Sequence, residues 1–102
     1  MPAYIIVYRE TPISDPESIA EYSRRNRDAA AEFQAQFGMK PLAIYGNSEA
    51  PEGANPDGIV LLEFPDIAAA KAWYESPAYQ DVIPLRTKAA EWRIVIVEGL
   101  PG

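Results

Sequence analysis

Three short runs of this chain are apolar on both of their faces, and that property limits the folds open to it more than any other. Ala3 to Arg9 (AYIIVYR) alternates Tyr4, Ile6 and Tyr8 with Ile5, Val7 and Arg9. Ile59 to Phe64 (IVLLEF) sets Ile59, Leu61 and Glu63 against Val60, Leu62 and Phe64, and Trp92 to Glu98 (WRIVIVE) places Val95 beside Ile96. Each run is short and rich in β-branched and aromatic residues, so each reads as a strand. An antiparallel sheet with helices on one side normally turns an alternating polar face to water on the other. These strands do not, so a second layer has to cover them. In a chain of 102 residues, enough for one domain, the economical cover is another copy of the chain, packed sheet against sheet about a two-fold axis.

The segments between the strands read as helices and turns. Asp15-Pro16 followed by Glu17 is a helix start: a capping carboxylate, a proline at the first helical position and an acid in the first turn. Ile19, Tyr22, Asn26, Ala29, Ala30, Phe33 and Phe37 then recur at helical spacing until Gly38 stops them. Lys40 to Tyr45 is a short strand whose early proline suits a sheet edge. Residues 46–58 (GNSEAPEGANPDG) form a turn-rich connection, either a lid or partner-gripping arm or a plain hairpin tip. It lacks the pattern of a phosphate or calcium loop. After the third strand, Pro65-Asp66 opens an alanine-rich helix through Trp73, Tyr74 and Glu75, and Ser76-Pro77 restarts another. Pro84 disfavours helical geometry at Ile83, which predicts a break there with Arg86 just beyond. The order βαββαβ is that of an α+β, ferredoxin-like domain over 1–102: a four-stranded antiparallel sheet with its helices on one face.

Composition removes many chemistries. Fifteen acids against nine bases, a formal charge of -6, disfavour nucleic acid and anionic membrane surfaces as partners. No cysteine and no histidine are present, which excludes disulfides, thiolate or imidazole metal sites and the usual nucleophile and base pairs. No metal or cofactor is therefore expected. The amino terminus lacks the pattern of an export signal and no apolar run reaches the roughly 20 residues of a membrane span, so a cytoplasmic location is the expectation. Arg24, Arg25 and Arg27 resemble a basic patch, but Glu21 and Asp28 lie at pairing distance along the helix, which favours a solvated face.

Glu63, an acid at the end of an apolar strand, is the first candidate for chemistry. Desolvation would raise its pKa towards general acid or base work, whereas a nearby cation would hold it ionised, and Arg86 is the natural cation. The bland alternative is a structural salt bridge between Glu63 and Arg86 in a dimer with a purely structural or sensory role. Tyr22, Trp73, Tyr74 and Tyr79 form the second set. Aromatics at such spacing commonly build core, yet buried hydroxyls need partners. A pocket between helices and sheet, lined by Tyr22, Tyr79, Glu63 and Arg86, is the expected ligand site. Ser76 reads as a helix cap, having no histidine to activate it. Two functional classes follow: a small-molecule binder, or a cofactor-independent enzyme with Glu63 as acid or base, Arg86 holding a carboxylate or oxyanion, and a tyrosine as proton donor.

Leu62-Glu63-Phe64-Pro65, Ala70, Trp73-Tyr74, Ser76-Pro77, Tyr79-Gln80, Leu85-Arg86 and Val97-Glu98-Gly99 together resemble the signature of the bacterial domain-of-unknown-function family numbered 1330. Asp15-Pro16, Glu21-Tyr22 and Glu52-Gly53 extend the resemblance over nearly the whole chain. It implies a homodimeric α+β barrel, two ferredoxin-like sheets packed together, and brings no established activity. Where such sequences commonly carry an arginine before paired glycines after the second strand, this chain reads Tyr45-Gly46-Asn47. A binding role for that arginine does not carry over.

Overall fold

In the computed structural model, which describes residues 1–101, strand β1 (Ala3–Arg9) lies inside a four-stranded antiparallel sheet. It pairs with β3 (Gly58–Phe64) on one side and β4 (Trp92–Glu98) on the other. The edge strand β2 (Lys40–Ile44) pairs with β3, giving the order β2-β3-β1-β4. Pro41 sits on that edge next to a register shift, where a missing backbone donor does least harm.

Helix α1 (Pro16–Phe37) begins as its sequence specifies: the Asp15 carboxylate accepts from the backbone N–H of Ser18 at 3.1 Å. It ends at Gly38, whose φ of 69° is a left-handed cap that a side chain would strain, and whose added Cβ would lie 2.6 Å from the Pro65 ring. Asp66 caps α2 (Ile67–Glu75) through the N–H of Ala69, and Ser76 caps the short α3 (Pro77–Gln80) through that of Tyr79. The break expected at Ile83 falls one residue earlier. Val82 ends the turn, and Pro84 lies in the first turn of α4 (Ile83–Ala89), where its absent N–H would have had no helical acceptor. Arg86 is therefore carried by a helix rather than by the chain after one.

Register decides which residues share a face. Opposite β1, Ile5 meets Leu62 and Ile96, and Val7 meets Val60 and Ile94. Ala3, Ile5, Val7, Leu62 and Phe64 are buried with Phe33, Ala70, Trp73, Tyr79 and Val82, so the helices cover this face. On the other face Tyr4 meets Glu63 and Val97, Ile6 meets Leu61 and Val95, and Tyr8 meets Ile59. No element of the described residues covers that side, and Val95 and Val97 are 38% and 44% exposed. Helix α1 packs on α4 and α2, leaving β2 outside the helical layer. Among the described residues no helix is long and apolar enough to cross a membrane.

Candidate functional site

The gap between α1 and β2 opens into a cavity of about 340 Å3 on the helical side of the sheet. Val7, Val60 and Leu62 form its floor, Phe33 and Trp73 its back wall, Pro41, Ile44 and Tyr45 its β2 side, and Tyr22 with Tyr79 one end. Aromatic packing fixes that end. The Trp73 and Tyr79 rings lie 4.2 Å apart at 34°, Phe33 stands edge-on to Trp73 at 5.8 Å, and the Tyr22 hydroxyl is 2.7 Å from that of Tyr79. Burial, and the proximity of Tyr79, push the Tyr22 hydroxyl well above the ordinary tyrosine range, with the Arg86 guanidinium pulling the other way. Tyr22 is therefore a neutral phenol at any physiological pH. The indole Nε1 of Trp73 is buried and has no acceptor among the described residues.

Beside this cavity lie two guanidinium groups, Arg9 at the end of β1 and Arg86 on α4. Arg9 Cζ lies 4.7 Å from the centre of the Tyr45 ring and 5.9 Å from that of Trp92, and its Nε donates to Asp57 at 2.9 Å. Arg86 Cζ lies 5.5 Å from the same Trp92 ring, which is tied to α4 by an indole N–H donated to the Arg86 carbonyl at 2.8 Å. Gly58 makes the arrangement possible. A Cβ there would lie 2.8 Å from the Tyr45 ring and 3.1 Å from Arg9 Cζ, so only glycine lets both cross the start of β3. Tyr45 itself holds a positive φ of 52° to place its ring there. Burial raises its hydroxyl pKa, against the pull of Arg9 and Arg86.

The expected pocket is thus present with a different membership. Tyr22, Trp73 and Tyr79 line it; Tyr74 does not, lying instead against Tyr79 and along a shallow groove with Arg86, Thr87 and Trp92. Glu63 is not in it. Its place opposite Tyr4 in the β1 ladder puts it on the uncovered face of the sheet, with Lys40 of β2 across from it. Arg86 is on the helical side, so the Glu63–Arg86 salt bridge does not form, and the two groups cannot act on one ligand within a single chain. The physical reason is the period of two along a strand: Leu62 and Phe64 face the helices, so Glu63 between them cannot. Tyr45, Arg9 and Trp92 belong to the site although sequence reasoning passed over them. Arg9 shares the face of Ile5 and Val7, which was the available signal. Among the described residues no group of acids is placed to hold a metal ion, and what the cavity offers is aromatic surface with a few donors.

The family model for the Domain of unknown function (DUF1330) matches residues 2–100. The chain belongs to this family. No curated protein matches it. Among solved structures, a dimeric ferredoxin-like protein of unknown function from Jannaschia sp. CCS1 is similar at 17% identity and a TM-score of 0.72, covering 97% of this chain and 100% of that one. A protein of unknown function from Rhodopseudomonas palustris is similar at 17% identity and TM-score 0.64, over 99% and 84% of the two chains. A DABB-family protein with a ferredoxin-like fold from Mesorhizobium loti is similar at 16% identity and TM-score 0.64, over 98% of each chain. These likenesses agree with the ferredoxin-like sheet and order described above.

Proposed function

We propose that this DUF1330 protein binds a small, mostly apolar organic molecule in the cavity between α1, β2 and the sheet. The observation that carries the reading is the cavity itself: a space walled by Phe33, Leu62, Trp73 and Tyr79 that no side chain of the described residues fills. The volume of about 340 Å3 lies at the small end of the range of ligand pockets, which suits one ring with a short side chain.

Two indole N–H signals are available in the chain, from Trp73 and Trp92. Titration of the 15N-labelled protein with small aromatic acids and amides should move the Trp73 signal. A library of such compounds that leaves it in place at millimolar concentration would sink the proposal.

The same reading takes the protein as a homodimer, with Ile6, Leu61, Val95 and Val97 packed against their counterparts in a second copy to complete an α+β barrel. The uncovered apolar face supports this, as does the description of the Jannaschia relative as dimeric. Turnover is a second reading, favoured by the hydroxyl pair of Tyr22 and Tyr79 at the end of the cavity. Such a pair serves as a proton donor rather than a base, because burial keeps Tyr22 protonated. With Glu63 across the sheet, an acid or base role for it would require chemistry on the dimer face.

A further inference from the structure

The hydroxyl pair at the end of the cavity has one proton more than it can use. Tyr79 is 1% exposed and Tyr22 half-buried, and their oxygens lie 2.7 Å apart. Two phenols carry two hydroxyl protons, and the bond between them takes one. Whichever tyrosine donates, the other keeps an O–H that has no acceptor among the described residues. Burial holds Tyr22 protonated, so ionisation does not remove the surplus. A buried hydroxyl without an acceptor is destabilising, and buried polar groups are nearly always paired. The missing acceptor comes from outside the chain, through the cavity that both tyrosines line.

The lining around the pair limits what that acceptor is. Asn26, one turn beyond Tyr22 on α1, adds an uncharged amide to it. Among the described residues no acid lines the cavity, and the one charged residue that does, Arg27, is exposed. An ionised group carried in to the tyrosines would be buried without a counter-charge, so the acceptor is neutral. The floor and back wall, formed by Val7, Val60, Leu62, Phe33 and Trp73, are apolar, so the acceptor is carried on a hydrocarbon body. A carbonyl oxygen meets both conditions: it accepts, and it brings no proton of its own that would need a further acceptor.

Resting on the cavity reading above, we propose that the ligand is a neutral aromatic carbonyl compound, a ketone, aldehyde or ester. Its oxygen accepts the uncommitted hydroxyl proton of the Tyr22–Tyr79 pair while its ring lies against Phe33, Leu62 and Trp73. The contact between the Trp73 and Tyr79 rings, 4.2 Å apart, keeps that aromatic wall next to the donor.

The test uses acetophenone and α-methylstyrene, probes of one shape that differ by an oxygen in place of a methylene, with the Trp73 indole signal as readout. Removing both hydroxyls in Tyr22→Phe/Tyr79→Phe should weaken acetophenone about tenfold and leave α-methylstyrene within about twofold of wild type. Each single substitution leaves one free hydroxyl, so Tyr22→Phe and Tyr79→Phe should each cost acetophenone less than the double variant does. The carbonyl stretch of acetophenone bound to the wild type should also lie at lower frequency than in hexane, as hydrogen bonding requires. Equal losses for the two probes in the double variant, or a carbonyl stretch at its hexane frequency, overturn the carbonyl assignment and leave the cavity standing. So does tighter binding of benzoate than of acetophenone that is lost on Arg27→Gln, which would make the ligand an anion held at the mouth. If neither probe moves Trp73, the cavity reading falls as well. Should the double variant fail to fold, the single variants and the carbonyl stretch of the wild-type complex decide the matter.

Discussion

The two faces of the sheet are both apolar, yet they are apolar in different ways. On the helical face, large side chains from β1 and β3 meet those of α1, α2 and α3 closely enough to bury Ile5, Phe64 and Tyr79 almost completely. The places where packing fails there, the cavity, the indole of Trp73 and the guanidinium of Arg86, are the places with polar atoms in want of partners. On the other face Ile6, Leu61, Val95 and Val97 form an apolar layer that no element of the described residues covers. An incomplete core points to a ligand; an uncovered one points to a second copy. The difference is one of shape and unsatisfied polar groups rather than of hydrophobicity, which is why composition alone separates the faces poorly.

The largest effect expected tests the uncovered face. Val95→Asp places a carboxylate on the exposed side of the edge strand β4, where the protomer tolerates it but a sheet-to-sheet contact would have to desolvate it twice over, once from each copy. Sedimentation at micromolar concentration should show the wild type as a dimer and the variant as a monomer of unchanged circular dichroism. A wild-type monomer would break the comparison outright. The next effect tests the helical face. Trp73→Ala removes the ring that contacts Phe33, Phe64 and Tyr79, and should lower unfolding free energy by about 3–5 kcal/mol in urea titrations.

The hydroxyl pair supplies a smaller effect with a definite sign. Burial raises the Tyr22 pKa in the folded chain above its unfolded value of about 10. Below pH 10 both states hold the proton and stability does not vary with it. Above pH 10 the unfolded chain releases a proton the folded chain retains, so stability falls by up to about 1.4 kcal/mol per pH unit. Urea midpoints measured between pH 9 and 11 should decline steeply in the wild type and less so in Tyr22→Phe, where the burial of Tyr45 leaves a residual slope.

The fold was legible because its signals are local. Asp15-Pro16, Gly38, Asp66 and Ser76-Pro77 mark helix ends through contacts within four residues, and all of them are found as read. Pro84 was misplaced by one residue because a proline marks the first turn of a helix as readily as a break. The site was half legible. Tyr22, Trp73 and Tyr79 follow from helical spacing, since residues on inward faces of successive helices meet over the same sheet. Glu63 failed because the strand pattern fixed its neighbours on its own face, Ile59 and Leu61, but not which face the helices would take; with both faces apolar, that choice lies in tertiary packing. Arg9, Tyr45 and Trp92 were missed for a related reason: they converge only through the pairing of Arg9 with Gly58 and Trp92 across three strands.

Glu63→Gln gives the smallest effect and the sharpest separation of the two faces. The carboxylate is half-buried on the uncovered side, opposite Lys40 in the β2 ladder, and such a cross-strand pair contributes roughly 0.2–1 kcal/mol. Neutralising it should therefore change protomer stability by less than about 1 kcal/mol, and its influence on the cavity should be smaller still, since the Leu62 and Phe64 side chains point the other way. The affinity for a small aromatic ligand of the cavity should stay within about twofold of wild type by the Trp73 titration, a free-energy change below about 0.5 kcal/mol. A tenfold loss would mean that the acid acts through the sheet on the ligand, and that the two faces are one site. A loss of dimer with binding intact would instead place Glu63 in the contact between copies, which is where the strand register already points.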